Sequence, residues 1–287
     1  MDFDAFKNDI ISNNWKVHGV EVYEDGILSH SFGDTCETRF PIYSATKSIL
    51  SIAVGIAEDR GLINLNESVL EFLPKNFVQE ISETQQQKFK QLSLHRLMTM
   101  SVPGFPFRPV SEDSDSYLRF SLSCKDFKPE EITFDYSNIP AYLVGVALSH
   151  VVGDVWEFID TNILTPLGIT DAEYTRCPDG FFYGASGMSL RVNDLSRIGM
   201  LLYNGGVCEG TQIISKQYID RATSVQQMNR EGGYGYFIWK YLDGFSINGK
   251  WGQKCYILPN SKLMITFLSD MPDNSNLLKA SMEKHII

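Results

Sequence analysis

Tyr43-Ser44-Ala45-Thr46-Lys47-Ser48-Ile49-Leu50 decides how this chain is read. It contains Ser-x-x-Lys and opens the apolar run Ile49 to Ala57, which has helical character. Three residues make most of one helical turn, so Ser44 and Lys47 fall on the same face. A serine hydroxyl is a poor nucleophile at neutral pH and needs a base or a nearby cation. A desolvated lysine amine one turn away can supply either. In the first turn of a helix, Ser44 would also meet free backbone N–H groups and the positive end of the helix dipole. A second copy, Ser281-Met282-Glu283-Lys284, lies in a charged C-terminal stretch with no start signal at its serine and reads as a solvated helix face.

Around this stretch the chain divides into strands at its ends and helices in its middle. Residues 2–14 read as an amphipathic helix carrying Phe3, Phe6, Ile10 and Ile11 on one side. Val17 to Tyr23 alternates like a strand, Glu24-Asp25-Gly26 is a hairpin turn, and Ile27 to Phe32 returns. Gly61 stands where a helix begun at Ser44 would need a left-handed terminator. Ser93 caps a helix to Met100, and further helices read over Ala141–Val152, Val155–Leu164, a stretch ending at Tyr203, and one starting at Ser215. Residues 79–91 read as a solvated connection, and 103–116, with three prolines, as a loop. Strands then read over Tyr234–Lys240, Phe245–Asn248, Trp251–Leu258 and Leu263–Ser269, before a last helix from Asn276. Tight turns between consecutive strands mean an antiparallel sheet. The simplest assembly is a single domain, 1–287, of the α/β (α+β) class. An α/β lobe takes 1–42 and 190–287, an all-helical lobe takes 43–189, and a site belongs in the cleft between them.

Two later motifs can meet Ser44 there. Tyr136-Ser137-Asn138 precedes an apolar helix. A phenol close to lysine ammonium groups is expected to lose its proton more readily and so to accept one from Ser44. Asn138 offers a donor and an acceptor suited to a substrate amide, although a loop tyrosine followed by an Asx-type turn and a helix cap at Asn138 is the plainer reading of the motif alone. Lys250-Trp251-Gly252-Gln253 follows Gly249 on a predicted strand. Lys250 can hold a carboxylate, Gly252 can let substrate approach the strand, and the backbone N–H of Gln253, or of a neighbour, can join that of Ser44 as an oxyanion hole. A strand with a bulge and an exposed lysine is the plainer reading of that stretch.

Bulk composition narrows the function. The 287 residues are 43% hydrophobic and 21% charged, as in ordinary globular proteins. A net charge of −10 argues against nucleic acid or an anionic membrane as partner. No apolar run reaches membrane-spanning length. The start, Met1-Asp2-Phe3-Asp4, lacks an apolar signal-peptide core, so a cytoplasmic location is expected. Five scattered cysteines without a Cys-x-x-Cys pair fit reduced thiols. The five histidines have no metal-ligand spacing, so no metal and no cofactor is expected. The expected partner is a small-molecule substrate; the oligomeric state is not legible.

Ser-x-x-Lys, then Tyr-x-Asn, then Lys-x-Gly resembles the serine penicillin-recognising proteins, which include class C β-lactamases, D-Ala-D-Ala carboxypeptidases and related esterases and amide hydrolases. The resemblance extends through Gly61–Leu65, Val69–Pro74, Leu92–Ser101, Pro166–Ile169, Gly187–Leu190 and Asp194–Arg197. It implies a β-lactamase/transpeptidase-like fold, an antiparallel sheet flanked by helices plus an all-helical lobe. It also implies an acylated Ser44, proton handling by Lys47 and Tyr136, and substrate contacts from Asn138, Lys250, Trp251 and Gly252. Trp251 stands where β-lactamases and peptidases carry a small hydroxyl residue, so the run is closer to the esterase and amide-hydrolase branch. The expected function is hydrolysis of a small ester, amide or peptide through an acyl-enzyme. The alternatives are a penicillin-recognising sensor or scaffold without turnover, and a true β-lactamase or D-Ala carboxypeptidase.

Overall fold

The N-terminal hairpin forms because its turn residues tolerate a backbone that most residues avoid. Asp25 and Gly26 take φ of 51° and 79°, the twist a two-residue hairpin needs. Strands Val17–Glu24 and Ile27–Gly33 pair across it. The first of these also pairs antiparallel with Leu263–Ser269, close to the other end of the chain. Gln253–Leu258, Gly244–Gly249 and Trp239–Tyr241 complete a six-stranded antiparallel sheet. The computed structural model describes residues 1–109 and 115–287.

Every residue of Leu263–Ser269 is buried, which a strand achieves only with both sheet faces covered. On one face lie the terminal helices Phe3–Ser12 and Ser275–His285, packing Phe6, Ile10, Leu278 and Met282 over Val20, Val22, Ile265 and Phe267. Ser281 belongs to this packing: its hydroxyl donates to Asp9 at 2.7 Å, so the second Ser-x-x-Lys is a helix contact, with Glu283 and Lys284 facing solvent. Helix Val192–Tyr203 covers the other face with Leu195 and Ile198.

The helical layer is built on Thr46–Asp59, buried at every position through Ala57. Apolar side chains all round make it a central helix rather than a surface one. It ends as expected at Gly61, φ 69°, where Gly61 N–H donates to Glu58 O and Leu62 N–H to Ala57 O, satisfying two terminal carbonyls. The equally buried Ile139–Val152 packs against it.

Two expectations change. Residues 79–91 are not a bare connection, because Ser82 caps a helix over Glu83–Lys90 whose Phe89 is fully buried. The strand expected over Tyr234–Lys240 shrinks to Trp239–Tyr241. Upstream backbone groups are taken by helix ends instead: Tyr236 N–H bonds Ala222 O, and Phe237 N–H, at φ 57°, bonds Met98 O. No single helix among the described residues is long and apolar enough to cross a membrane.

Candidate active site

The chain reaches Ser44 through a strained step. Tyr43 has φ 50°, a left-handed value that costs a non-glycine residue about 1 kcal/mol or more. Ser44 then sits in a 3-10 turn, Tyr43–Ala45, just ahead of helix Thr46–Asp59 rather than inside its first turn. Ile42 N–H donates to Met188 O and the Ser48 hydroxyl to Phe237 O at 2.8 Å, so both flanks are fixed to other segments.

Lys47 points from the first helical turn into the interior, 1% exposed. Its ammonium nitrogen lies 3.1 Å from Ser44 Oγ, 2.8 Å from Asn138 Oδ1 and 2.8 Å from Ala185 O. Burial pushes the amine down to about 7 by penalising its charged form. A neutral amine has two N–H bonds and one lone pair. The two fixed acceptors, Asn138 Oδ1 and Ala185 O, use the N–H bonds, which leaves the lone pair for the Ser44 proton.

Tyr136 lies against the same group, with Lys47 Nζ 5.0 Å from its ring centroid. Burial raises its phenol to about 12, although a hydrogen bond with Ser44 works the other way. The expected depression by lysine charge is therefore absent: desolvation disfavours the phenolate just as it disfavours the ammonium. Asn138 is buried and also donates from Nδ2 to Tyr183 Oη at 3.2 Å, while helix Ile139–Val152 starts beside it without a side-chain cap bond.

These groups open onto a cavity of about 420 Å³ lined by Ser44, Tyr136 and Asn138, by aromatics including Tyr117, Tyr183 and Trp239, and by the strand end Asn248-Gly249-Lys250. Ser44 is half-buried and accessible from it. Phe107 and Arg108 of the expected loop contribute to the wall; residues 110–114 of that loop lie outside the described residues. The strand end comes close because Gly249 has no side chain: a Cβ there would meet Ile42 O at 2.2 Å. No backbone acceptor among the described residues takes the N–H of Ser44 or of Lys250.

The structure brings Ser44, Lys47, Tyr136, Asn138 and Lys250 together but turns the rest of the third motif away. Lys250 Nζ rests 4.4 Å from the Tyr43 ring centroid and 3.9 Å from that of Trp251. Trp251, φ 63°, lines a neighbouring cavity rather than this one. The open side of Gly252 faces Ser269, whose Oγ a Cβ would meet at 2.1 Å. Gln253 is buried in its strand, with its amide donating to Lys250 O and Ser269 O. Trp251, Gly252 and Gln253 are therefore hairpin residues here, and the strand end facing Ser44 is three positions earlier than Gln253. Tyr183, Ala185, Trp239, Asn248 and Lys254 were not singled out from the sequence. A lysine inside the apolar strand Gln253–Leu258 is the one legible signal among them; the carbonyl of Ala185 leaves none. Asn248 Oδ1 is buried without a donor, available to an N–H of a bound molecule. No cluster of three or more His, Cys, Asp or Glu able to hold a metal lies among the described residues.

Comparison with known proteins agrees with this architecture. The Beta-lactamase family model matches residues 16–280. The chain is 23% identical over 270 residues to 6-aminohexanoate-dimer hydrolase of Paenarthrobacter ureafaciens, a match covering 83% of this chain and 67% of that protein. A class C beta-lactamase from Rhodobacter sphaeroides superposes with a TM-score of 0.75 at 17% identity, covering 99% of this chain and 98% of that one. The octameric penicillin-binding protein homologue from Pyrococcus abyssi gives 0.70 at 20% identity, covering 99% and 78%.

Proposed function

Because this chain belongs to the beta-lactamase family of serine hydrolases, we propose that Ser44 is its acylated nucleophile and Lys47 the base that activates it. The observation that carries this reading is the Lys47 amine itself, buried to near-neutral basicity and aimed by two fixed acceptors so that its third direction meets Ser44 Oγ at 3.1 Å.

In the acylation step Ser44 Oγ bonds the substrate carbonyl carbon while its proton passes to Lys47 Nζ. The carbonyl oxygen becomes an oxyanion, and the free N–H groups of Ser44 and Lys250 are the donors placed to receive it. When the carbon–leaving-group bond breaks, the leaving nitrogen or oxygen needs a proton. Tyr136, a phenol throughout the physiological range, can deliver one, and the proton that Lys47 Nζ took from Ser44 restores the phenol and balances the step. Water then attacks the acyl-enzyme with the same groups reversed, releasing acid and free Ser44.

The substrate we favour is a small linear amide or ester. The buried, donorless Asn248 Oδ1 suits an amide N–H, and the relative named as a 6-aminohexanoate-dimer hydrolase points the same way. Aromatic walls from Tyr117, Tyr183 and Trp239 suit an apolar chain between polar ends. The cysteines, none of them disulfide-bonded, fit a reducing compartment such as the cytoplasm. A panel of p-nitrophenyl esters, short linear amides and a chromogenic cephalosporin tests the reading. Wild-type protein should turn over members of the panel, and Ser44→Ala should lose that turnover while unfolding at the same urea concentration. Wild-type rates in Ser44→Ala would overturn it.

A further inference from the structure

Beyond the catalytic cavity, across the wall formed by Asn248, Gly249, Lys250 and Lys254, lies a second cavity of about 480 Å³. Arg230, Lys240, Lys250, Lys254 and Lys279 line it against a single lining acid, Glu231. This reverses the sign of a chain whose net charge is −10. Only Lys279 has an ion pair, 3.6 Å from Glu283; among the described residues the other four cations have no carboxylate within salt-bridge reach.

Lys254 is the least expected of these. It occupies an otherwise buried strand, opposite Asn248, and its ammonium has no hydrogen bond among the described residues. Burial holds its amine down at about 8, with the Glu231 carboxylate acting the other way and the Lys279 charge adding to the depression. Helix Ser275–His285 starts at the cavity with Ser275 and Asn276, and its N-cap residue Asn274 makes no side-chain capping bond, so the positive helix end also faces in. Like charges gathered in this way repel one another, and a multiply charged anion would relieve the repulsion and supply the missing partners. One carboxylate would satisfy one of these lysines; four cations without a carboxylate partner and a helix terminus call for a dianion.

We propose that this cavity is an anion subsite taking a phosphate-type dianionic group of the molecule whose acyl carbon is presented to Ser44. The assignment of the substrate's charged end rests on the serine-hydrolase reading above; the anion site itself does not. A ligand lying across the shared wall would place its acid group among Lys240, Lys254 and Lys279 and its carbonyl beside Ser44.

The test uses the full chain, as wild type and two variants, and four probes. Inorganic phosphate and pyrophosphate are titrated calorimetrically into wild type, Lys254→Met and Lys279→Glu. Two p-nitrophenyl esters, one neutral and one carrying a phosphate monoester on its acyl chain, are compared by kcat/KM. Pyrophosphate should bind wild type, weaken with added salt, and bind each variant about tenfold or more weakly. The phosphorylated-to-neutral ratio of kcat/KM should fall by a similar factor in both variants. Lys279→Glu, on a partly exposed helix position, keeps the test valid if Lys254→Met misfolds. Absence of pyrophosphate binding, or equal binding by all three proteins, overturns the site. Binding without preference for the phosphorylated ester overturns its assignment to the substrate. Failure of the catalytic reading looks different: neither ester is hydrolysed while pyrophosphate still binds.

Discussion

Replacing Lys47 by Met separates the two consequences of burying an amine, and the structure gives the size of one of them. Burial takes the amine from its unfolded value of 10.5 to about 7. A folded-state value below the unfolded one means that the unfolded chain binds more protons between those limits, so this group's contribution to stability rises with pH across that window. At pH 7 the folded protein opposes protonation that the unfolded chain enjoys, at a cost of roughly 4 kcal/mol; at pH 9 the cost is roughly 2 kcal/mol. Met has no such dependence. The stability difference between wild type and Lys47→Met should therefore shift by about 2 kcal/mol in favour of wild type from pH 7 to pH 9, with all other titrations cancelling in the difference. The absolute difference at one pH is less informative, because Met also leaves Ala185 O and Asn138 Oδ1 without their donor, at about 1–3 kcal/mol each. Urea unfolding of both proteins at pH 7, 8 and 9 measures the shift. Parallel stability profiles would refute the argument, since they would mean that Lys47 is charged and solvated rather than buried near neutrality.

In the proposed mechanism the same amine sets the pH dependence of catalysis. Ester hydrolysis by wild type should rise through an inflection near 7 as Lys47 loses its proton, and a flat profile from pH 6 to 8 would remove it as the base. Tyr136→Phe should lower kcat by about 10²–10³ with little change in KM, measured on an amide with a poor leaving group, because the lost phenol acts on the departing atom. A smaller loss on a p-nitrophenyl ester, whose leaving group needs no proton, would accompany it; equal losses on both would argue against that role. Gly249→Ala must displace Ile42 O, 2.2 Å from the new Cβ, and should cost about 1–3 kcal/mol in urea unfolding together with a larger loss of kcat/KM. Unchanged kinetics in that variant would mean that the strand end does not shape the site.

Much of this arrangement was legible in the residues because it is local. The hairpin at Asp25-Gly26, the terminator at Gly61 and the caps at Ser93 and Ser215 each act over a few residues, and the structure uses them as read. Ser-x-x-Lys and Tyr-x-Asn specify only four residues, yet they locate the cavity. What the sequence hid depends on contacts between distant segments. Nothing about Ala185 marks its carbonyl as the second acceptor for Lys47, 138 residues away. The third motif misled for a related reason. Lys-x-Gly there spans a hairpin turn, with Trp251 and Gly252 both at positive φ, so the residues after Lys250 face away from Ser44 and the residues before it face in. Strand or turn could be decided only by the partner, Gly249 opposite Gln253. The pKa of Tyr136 was misjudged because a one-dimensional reading counts charges but not the water removed around them.

We propose Ser44 as the nucleophile, and covalent labelling of its hydroxyl is the sharpest check on that assignment. Intact-mass spectrometry after treatment with a fluorophosphonate should show one adduct per chain, and peptide mapping should place it on Ser44. Labelling should vanish in Ser44→Ala and slow by about 10² or more in Lys47→Met. An unmodified wild-type mass, or an adduct that persists in Ser44→Ala, would contradict the account.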